Sequence, residues 1–177
     1  MTNKTVLITG ACGDIGRSLA LEFARVGASL ALCDLMTLEE AAPLLAELRM
    51  QSPLVIYRQA NVSDPAAVES FVSDAVKDCG GLDICIANAG IVERGLLVEL
   101  SVEAWRRTLE VNLTGCFLTA QAAARAMLTR VALSTCGRQK SKFLSVTALL
   151  STANVVLLPA PCDSLAQPLP AAGSFVR

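Results

Sequence analysis

The chain has 177 residues, a formal net charge of −1 and no histidine, and 53% of its residues are hydrophobic. This length suits one domain with a substantial core. The charge gives no basic footprint for nucleic acid or an anionic membrane, and the missing histidine excludes His-based triads, His metal ligands and His proton switches. Seven cysteines without a C-x-x-C pair indicate reduced thiols rather than a metal site. With no recognisable signal peptide, we expect a cytoplasmic protein.

Short apolar runs alternate with amphipathic stretches up to about residue 130. The apolar runs predict strands at residues 4–8, 28–33, 54–57 and 82–87. The amphipathic stretches predict helices at residues 14–26, 37–50, 63–79 and 101–130. Strands separated by helices of this length form βαβ units, so the pattern predicts an α/β fold with a parallel, doubly wound sheet.

The character of the chain changes after Arg130. Residues 131–177 contain a single acid, Asp163, and most of the prolines. Residues 143–162 are uncharged, but hydroxyl side chains and two prolines interrupt them, so we do not expect a membrane span. We expect residues 1–130 to form the domain and residues 131–177 to be an atypical tail, partly disordered or loosely packed.

A glycine motif connects the first predicted strand to the first predicted helix. Residues 9–16 read Thr-Gly-Ala-Cys-Gly-Asp-Ile-Gly, so Gly10, Gly13 and Gly16 are three positions apart. In this context glycines permit a tight turn and let the backbone approach a pyrophosphate, which a helix N-terminus attracts. Such turns also occur for packing reasons alone, so the motif by itself leaves both interpretations open.

Asp34 closes the second predicted strand, eighteen positions after Gly16. A carboxylate there can accept hydrogen bonds from the hydroxyls of an adenosine ribose, and it would repel the 2′-phosphate of NADP. Neither Leu35 nor Met36 supplies a cation for that phosphate. The position therefore favours NAD, although a surface acid in a turn is the simpler alternative.

Asparagines follow the next two predicted strands and interrupt the last predicted helix. Asn61, with Val62, lies where an amide could meet an adenine edge, and residues 88–90 end the fourth strand at the edge where open α/β sheets bind ligands. Turn formation explains both sites equally simply. Asn112 lies on an apolar helix face before Gly115, which indicates either a helix kink or a functional placement.

Together these motifs resemble the short-chain dehydrogenases/reductases in order and spacing over roughly residues 4–130. The matching motifs are residues 9–16, Asp34, residues 61–64, residues 88–90, Trp105 and residues 111–113. The resemblance implies a Rossmann-type, NAD(P)-binding domain over residues 1–130. Proteins of this family use NAD(H) or NADP(H) to oxidise alcohols or reduce carbonyls.

The resemblance also assigns roles to individual residues. It places Gly10, Gly13, Ile15 and Gly16 at the pyrophosphate, Asp34 at the ribose, Asn61 and Val62 at the adenine, and Asn88, Ala89 and Gly90 near the nicotinamide ribose. Asn112 matches the active-site asparagine of the family, which helps to position a lysine and a water in a proton relay. NAD is then preferred over NADP because of Asp34.

Two features depart from the family pattern. Asp14 stands where the common TGxxxGxG motif has its middle glycine, and Gly13 instead gives the TGxxGxxG spacing of the extended branch. The family reaction also needs a Tyr-x-x-x-Lys pair well beyond the asparagine. The only tyrosine is Tyr57, on the third predicted strand, and residues 152–159 contain no titratable group.

Three interpretations follow from the missing pair. We favour a truncated oxidoreductase whose sheet is C-terminally incomplete and which is inactive as it stands, so that only a full-length form takes an alcohol or carbonyl substrate. The alternative is a non-catalytic dinucleotide-binding or partner-binding module. A third interpretation, an active chain with another proton donor, has no group to supply the proton. An incomplete sheet would expose an edge and apolar helix faces, so we expect low solubility or a homo-oligomer.

Overall fold

The computed structural model describes residues 4–134, 146–147 and 155–157, with side chains as far as Thr129. In chain order the described elements are β1 (Thr5–Thr9), α1 (Asp14–Arg25), β2 (Ser29–Asp34), α2 (Leu38–Arg49), β3 (Val55–Gln59), α3 (Pro65–Cys79), β4 (Ile84–Ala87), α4 (Val102–Leu109), a π-helical segment (Glu110–Gly115), α5 (Cys116–Ser134), β5 (Val146–Thr147) and β6 (Val155–Leu157). The described strands form one sheet in the order β3-β2-β1-β4-β6-β5.

The first four strands are parallel, and Leu7 of β1 is in register with Ala31 of β2 and Cys85 of β4. The predicted parallel, doubly wound α/β sheet is therefore confirmed for this part of the chain. The short strands β5 and β6 differ, because β6 runs antiparallel to both β4 and β5. Only seven residues separate β5 from β6, fewer than the dozen or so that a parallel crossover needs.

Both faces of the sheet are covered by helices. Val6, Ile8 and Leu32 are fully buried on the face that packs against α1 and α2. The alternate residues, among them Leu7 and Ala31, are fully buried on the face that packs against α3 and α5. Strands buried on both faces read as continuous apolar runs, which is why they could be located from the sequence.

Capping residues fix the helix boundaries. After α1, Gly27 has a φ of 76°; its N–H donates to the Ala24 carbonyl at 2.9 Å, while the Ala28 N–H donates to Phe23 at 3.1 Å. This pair of bonds is a Schellman motif. Thr37 and Glu40 form a reciprocal capping box before α2. These local contacts are made by neighbours in the chain.

The structure confirms the predicted start of the long helix at residues 101–130. The interior and the end of the observed helix differ from the prediction. Ser101 caps α4, and its Oγ accepts the Ala104 N–H at 3.1 Å. The helix then passes through the π-helical segment and continues as α5 to Ser134, four residues beyond Arg130. Trp105 and Phe117 on this helix are 54% and 58% exposed. Self-association of the chain stays a prediction.

The predictions for residues 131–177 fall mostly outside the described residues. Within the described part, no helix has the length and apolar character needed to cross a membrane. Strand β6 lies within the uncharged stretch at residues 143–162.

A buried carboxylate stabilises the amino end of the sheet. Asp83, just before β4, is 8% exposed. Its Oδ2 accepts the Thr5 N–H at 2.9 Å, and its Oδ1 accepts from the Lys4 Nζ at 2.9 Å. Hydrogen bonds to a charged group contribute more to stability than neutral ones, so this contact joins β1 to β4 at the edge opposite the site described below.

We expect Asp83→Ala to lower the free energy of unfolding by about 2 kcal/mol, because it leaves a buried backbone N–H without its charged acceptor. The control is Glu22→Ala, which removes an exposed ion pair with Arg25 and should cost less than about 0.5 kcal/mol. Urea unfolding of the two variants measures both values. Equal losses of unfolding free energy in the two variants would show that the buried contact stabilises the fold no more than an exposed ion pair does.

Candidate functional site

A cleft of about 550 Å³ lies where the carboxyl ends of β1, β2, β3 and β4 meet. Its walls are residues 10, 12–16, 34–36, 60–62 and 88–91, with Val111 from the π-helical segment. All ten residues predicted to hold a cofactor line it: Gly10, Gly13, Ile15, Gly16, Asp34, Asn61, Val62, Asn88, Ala89 and Gly90. The structure therefore brings these residues together, and their roles toward a ligand stay predictions.

Two of the three glycines are required by backbone contacts. A Cβ on Gly16 would lie 2.0 Å from the Gly10 carbonyl oxygen, and a Cβ on Gly10 would lie 2.8 Å from the Ala89 Cα. Gly10 also has a φ of 65°, which side chains rarely adopt. Gly13 is different, because its nearest neighbour would be 3.6 Å from a Cβ. It serves instead as the N-cap of α1, whose first amides border the cleft.

Asn88 fastens the glycine turn (residues 9–16) to the end of β4. Its Nδ2 donates to the carbonyl oxygens of Thr9 and Gly10 at 3.0 and 3.1 Å. In return, the Thr9 hydroxyl accepts the N–H groups of Asn88 and Ala89, both at 3.0 Å. The sequence placed Thr9 in the glycine motif but gave it no role, since its partners, Asn88 and Ala89, lie about 80 residues away.

The Asp34 carboxylate lies directly against the glycine turn. Its Oδ2 accepts the Cys12 N–H at 2.9 Å, and its Oδ1 accepts the Leu35 N–H at 2.8 Å. Oδ1 also accepts the Met36 N–H at 3.4 Å. Each carboxylate oxygen has about two acceptor positions, so Oδ2 keeps capacity for a ligand hydroxyl. Leu35, at 62% exposed, presents an apolar side chain beside it.

Val62 and Asn61 occupy the third side of the cleft. Asn61 uses its Oδ1 to accept the Ser63 N–H at 3.0 Å, which supports the turn role that the sequence left open. Val62 packs so closely on the π-helical segment that a Cβ on Gly115 would lie 2.7 Å from its Cγ2. Gly115 is therefore small because Val62 lies against it.

Asn112 connects the π-helical segment to the loop after β4. Its Oδ1 accepts the Ile91 N–H at 2.8 Å, and its Nδ2 donates to the Ile91 carbonyl at 2.9 Å. The predicted irregularity of the helix is present, because residues 110–115 depart from α-helical hydrogen bonding. The catalytic role of Asn112 stays a prediction.

Cys12 and Tyr57 meet behind Asp34. The Cys12 thiol lies 3.9 Å from the Tyr57 hydroxyl, which donates to the Met36 carbonyl at 2.6 Å. Burial raises the pKa of both groups, and the Asp34 charge raises them further. Both side chains are therefore protonated at neutral pH. Tyr57 is the chain's only tyrosine, and its hydroxyl is hydrogen-bonded to the turn after β2, behind Asp34.

The described lining of the cleft includes two carboxylates, Asp14 and Asp34, and neither lysine nor arginine. An anionic ligand would therefore be held by backbone N–H groups and the dipole of α1 rather than by side-chain cations. Among the described residues, no cluster of three or more acids or cysteines could hold a metal ion.

Comparison with known proteins identifies the family. The family model for short chain dehydrogenases matches residues 4–142. The chain is 38% identical to the short-chain dehydrogenase/reductase eriH of Hericium erinaceus, over 69% of this chain and 50% of that protein. It is 34% identical to L-rhamnose 1-dehydrogenase (NAD(P)(+)) of a Sphingomonas species, strain SKA58, over 72% of this chain and 50% of that protein.

Solved structures agree with this comparison. Carveol dehydrogenase from Mycobacterium avium in complex with NAD superposes with a TM-score of 0.69 at 28% identity, covering 73% of this chain and 51% of that one. The chain belongs to the short-chain dehydrogenase/reductase family and has its Rossmann fold. It spans about half the length of the curated relatives named here.

We expect Gly16→Ala to destabilise the fold by about 1–3 kcal/mol, because its Cβ would overlap the Gly10 carbonyl and push α1 away from β1. Gly13→Ala is the matched control: it has room for a Cβ, and the loss of a favourable N-cap residue should lower the free energy of unfolding by less than about 1 kcal/mol. Thermal unfolding followed by circular dichroism compares the two. A Gly16→Ala variant as stable as Gly13→Ala would contradict the described packing.

Proposed function

We propose that the chain binds NAD(H) in the cleft, as the cofactor-binding part of an oxidoreductase that acts on alcohols or carbonyls. The observation that carries the proposal is the single cleft in which the glycine turn, Asp34 and residues 88–90 converge. The cleft suits a dinucleotide, because Gly10 and Gly16 bring backbone close and the first amides of α1 offer donors to phosphate. The named relatives are dehydrogenases and reductases, which favours this function over a non-catalytic module.

In this proposal each wall of the cleft contacts a different part of the dinucleotide. Gly10, Gly13, Ile15 and Gly16 would hold the pyrophosphate and Asp34 the adenosine ribose. Asn61 and Val62 would contact the adenine, and Asn88, Ala89 and Gly90 would lie near the nicotinamide ribose. The nicotinamide, when bound, supplies the hydride chemistry, and the chain's own residues bind and orient it.

NAD is the proposed cofactor rather than NADP. Asp34 offers a negative charge to the ribose hydroxyls, and the neighbouring Leu35 and Met36 give no cation to a 2′-phosphate. A phosphate placed beside this carboxylate would meet like-charge repulsion, which is uncompensated by any described cation in the cleft.

We further propose that the 177-residue chain binds cofactor without catalysing hydride transfer. Asn112 is the proposed active-site asparagine, but its own contacts are with the Ile91 backbone. Tyr57, the only tyrosine, donates to Met36 at the ribose end of the cleft and so does not serve as the acid/base beside Asn112. The proposed division is a binding domain at residues 1–130 and an atypical tail at 131–177 whose strands β5 and β6 extend the sheet. Substrate chemistry is proposed only for a form that carries a Tyr-x-x-x-Lys pair.

We expect calorimetric titration to show NAD binding about tenfold or more tighter than NADP, since hydrogen bonds to a charged group exceed about 1.5 kcal/mol. Asp34→Asn should weaken NAD and strengthen NADP, because it removes the charge while keeping an acceptor oxygen. Asp14→Asn is the matched control: this exposed carboxylate borders the glycine turn, so the same change should strengthen both cofactors alike. Equal affinities for NAD and NADP in the parent chain would contradict the role of Asp34.

Joining residues 1–130 to the carboxyl-terminal part of the Sphingomonas L-rhamnose 1-dehydrogenase tests the enzymatic half of the proposal. We expect the chimera to form NADH with L-rhamnose, and its Asn112→Ala version to be slower by about a hundredfold, a typical loss for a disrupted proton transfer. The unmodified chain should form no NADH. Turnover by the unmodified chain at the chimera's rate would refute the proposed inactivity.

A further inference from the structure

We propose that Tyr57 is a positioning residue for the ribose subsite: its hydroxyl, with the Cys12 thiol, fixes the turn that carries Asp34 (residues 34–36). The inference rests on the proposed function and adds to it a residue of β3 that lies behind the cleft. It gives the chain's only tyrosine a function in ligand recognition that is separate from proton transfer.

A closed ring of hydrogen bonds carries the inference. The Cys12 N–H donates to the Asp34 carboxylate at 2.9 Å, and the same carboxylate accepts the Met36 N–H at 3.4 Å. The Met36 carbonyl accepts from the Tyr57 hydroxyl at 2.6 Å, and that hydroxyl is 3.9 Å from the Cys12 thiol. Tyr57 therefore links the glycine turn to the turn after β2, and Asp34 lies between them.

The end of β3 holds all three carbonyl groups of the Asp34 turn. The Ala60 N–H donates to the Asp34 carbonyl at 2.9 Å, and the Gln59 Nε2 donates to the Leu35 carbonyl at 2.9 Å. The Tyr57 hydroxyl completes the set at Met36. Leu35 and Met36 are 62% and 39% exposed, so these hydrogen bonds are a main restraint on the turn.

The tyrosine is suited to this task because its ring and hydroxyl have different surroundings. The ring is 6% exposed and packs in the core between the sheet and the α1–α2 layer. Burial raises the pKa of the phenol well above its usual range, so the hydroxyl keeps the proton that it donates to Met36. A fixed turn holds the Asp34 oxygens in place before ligand arrives, which lowers the entropic cost of binding the ribose.

The test is a binding cycle that combines Tyr57→Phe with removal of the ribose hydroxyls. Calorimetry on the full chain gives the affinities of ADP and of 2′,3′-dideoxy-ADP, for parent and variant. Tyr57→Phe keeps the buried ring and removes only the hydroxyl, with its bond to Met36 and its contact with the Cys12 thiol. We expect it to weaken ADP by about three- to tenfold, the range of one hydrogen bond, and to leave dideoxy-ADP within about twofold.

Ser52→Ala is the matched control for a general loss of stability. The Ser52 hydroxyl is buried and shares its one proton between the carbonyls of Ala28 and Leu54, at 2.7 and 2.9 Å. Both carbonyls lie at the amino ends of β2 and β3, away from the cleft. This variant should melt earlier and bind both nucleotides as the parent does. Gln59→Ala removes the bond to the Leu35 carbonyl from an exposed side chain, so no buried atoms are lost. It should also weaken ADP and leave dideoxy-ADP unchanged.

The outcomes separate this inference from the proposed function. The positioning role alone would be overturned if the parent chain binds ADP but both variants lose affinity equally for ADP and for dideoxy-ADP. The two variants are Tyr57→Phe and Gln59→Ala. Failure of the parent chain to bind ADP would overturn the proposed function together with the inference. A loss confined to the nucleotide with ribose hydroxyls supports both.

Discussion

The close approach of Gly16 to the carbonyl of Gly10 is the constraint on which the rest of the site depends. It lets α1 begin directly above the end of β1, so that the first amides of the helix border the cleft. Gly10 is pressed on its other side by Ala89, which fixes the end of β4 against the same turn. Three elements thus approach one another closely at the backbone, and a Cβ fits at neither Gly10 nor Gly16.

Polar side chains around the cleft mostly bind the protein's own backbone. Asn88 bonds the glycine turn, Asn112 bonds the loop after β4, and Tyr57 bonds the turn after β2. Each side chain pairs with backbone groups that have no partner from a strand or helix, because they lie where strands give way to loops. The result is a preorganised rim of backbone donors and two carboxylates, Asp14 and Asp34, and preorganisation lowers the entropic cost of binding a ligand that fits the cleft.

Much of this could be read from the sequence because it depends on neighbours in the chain. Gly27 and the Thr37–Glu40 pair cap helices through contacts a few residues apart. The three glycines of residues 9–16 predict a strand, a turn and a helix in succession. Asp34 was recognisable by its distance from Gly16. The bond from Tyr57 to Met36 was not, since it spans 21 residues and depends on the register of β2 and β3. The irregular helix around Asn112 was predicted from the sequence, but the backbone partner of Asn112, Ile91, lies 21 residues away and could not be.

Hydrogen–deuterium exchange of the 177-residue chain with and without NAD tests the central claim most directly. The account predicts slower exchange, on NAD addition, of the amides in residues 10–16, 34–36 and 88–91, because those backbones form the cleft walls. Amides at the opposite edge, such as that of Thr5, should exchange as before. Unchanged exchange at all three segments under saturating NAD, or protection confined to other surfaces, would contradict a dinucleotide site at the carboxyl edge of this sheet.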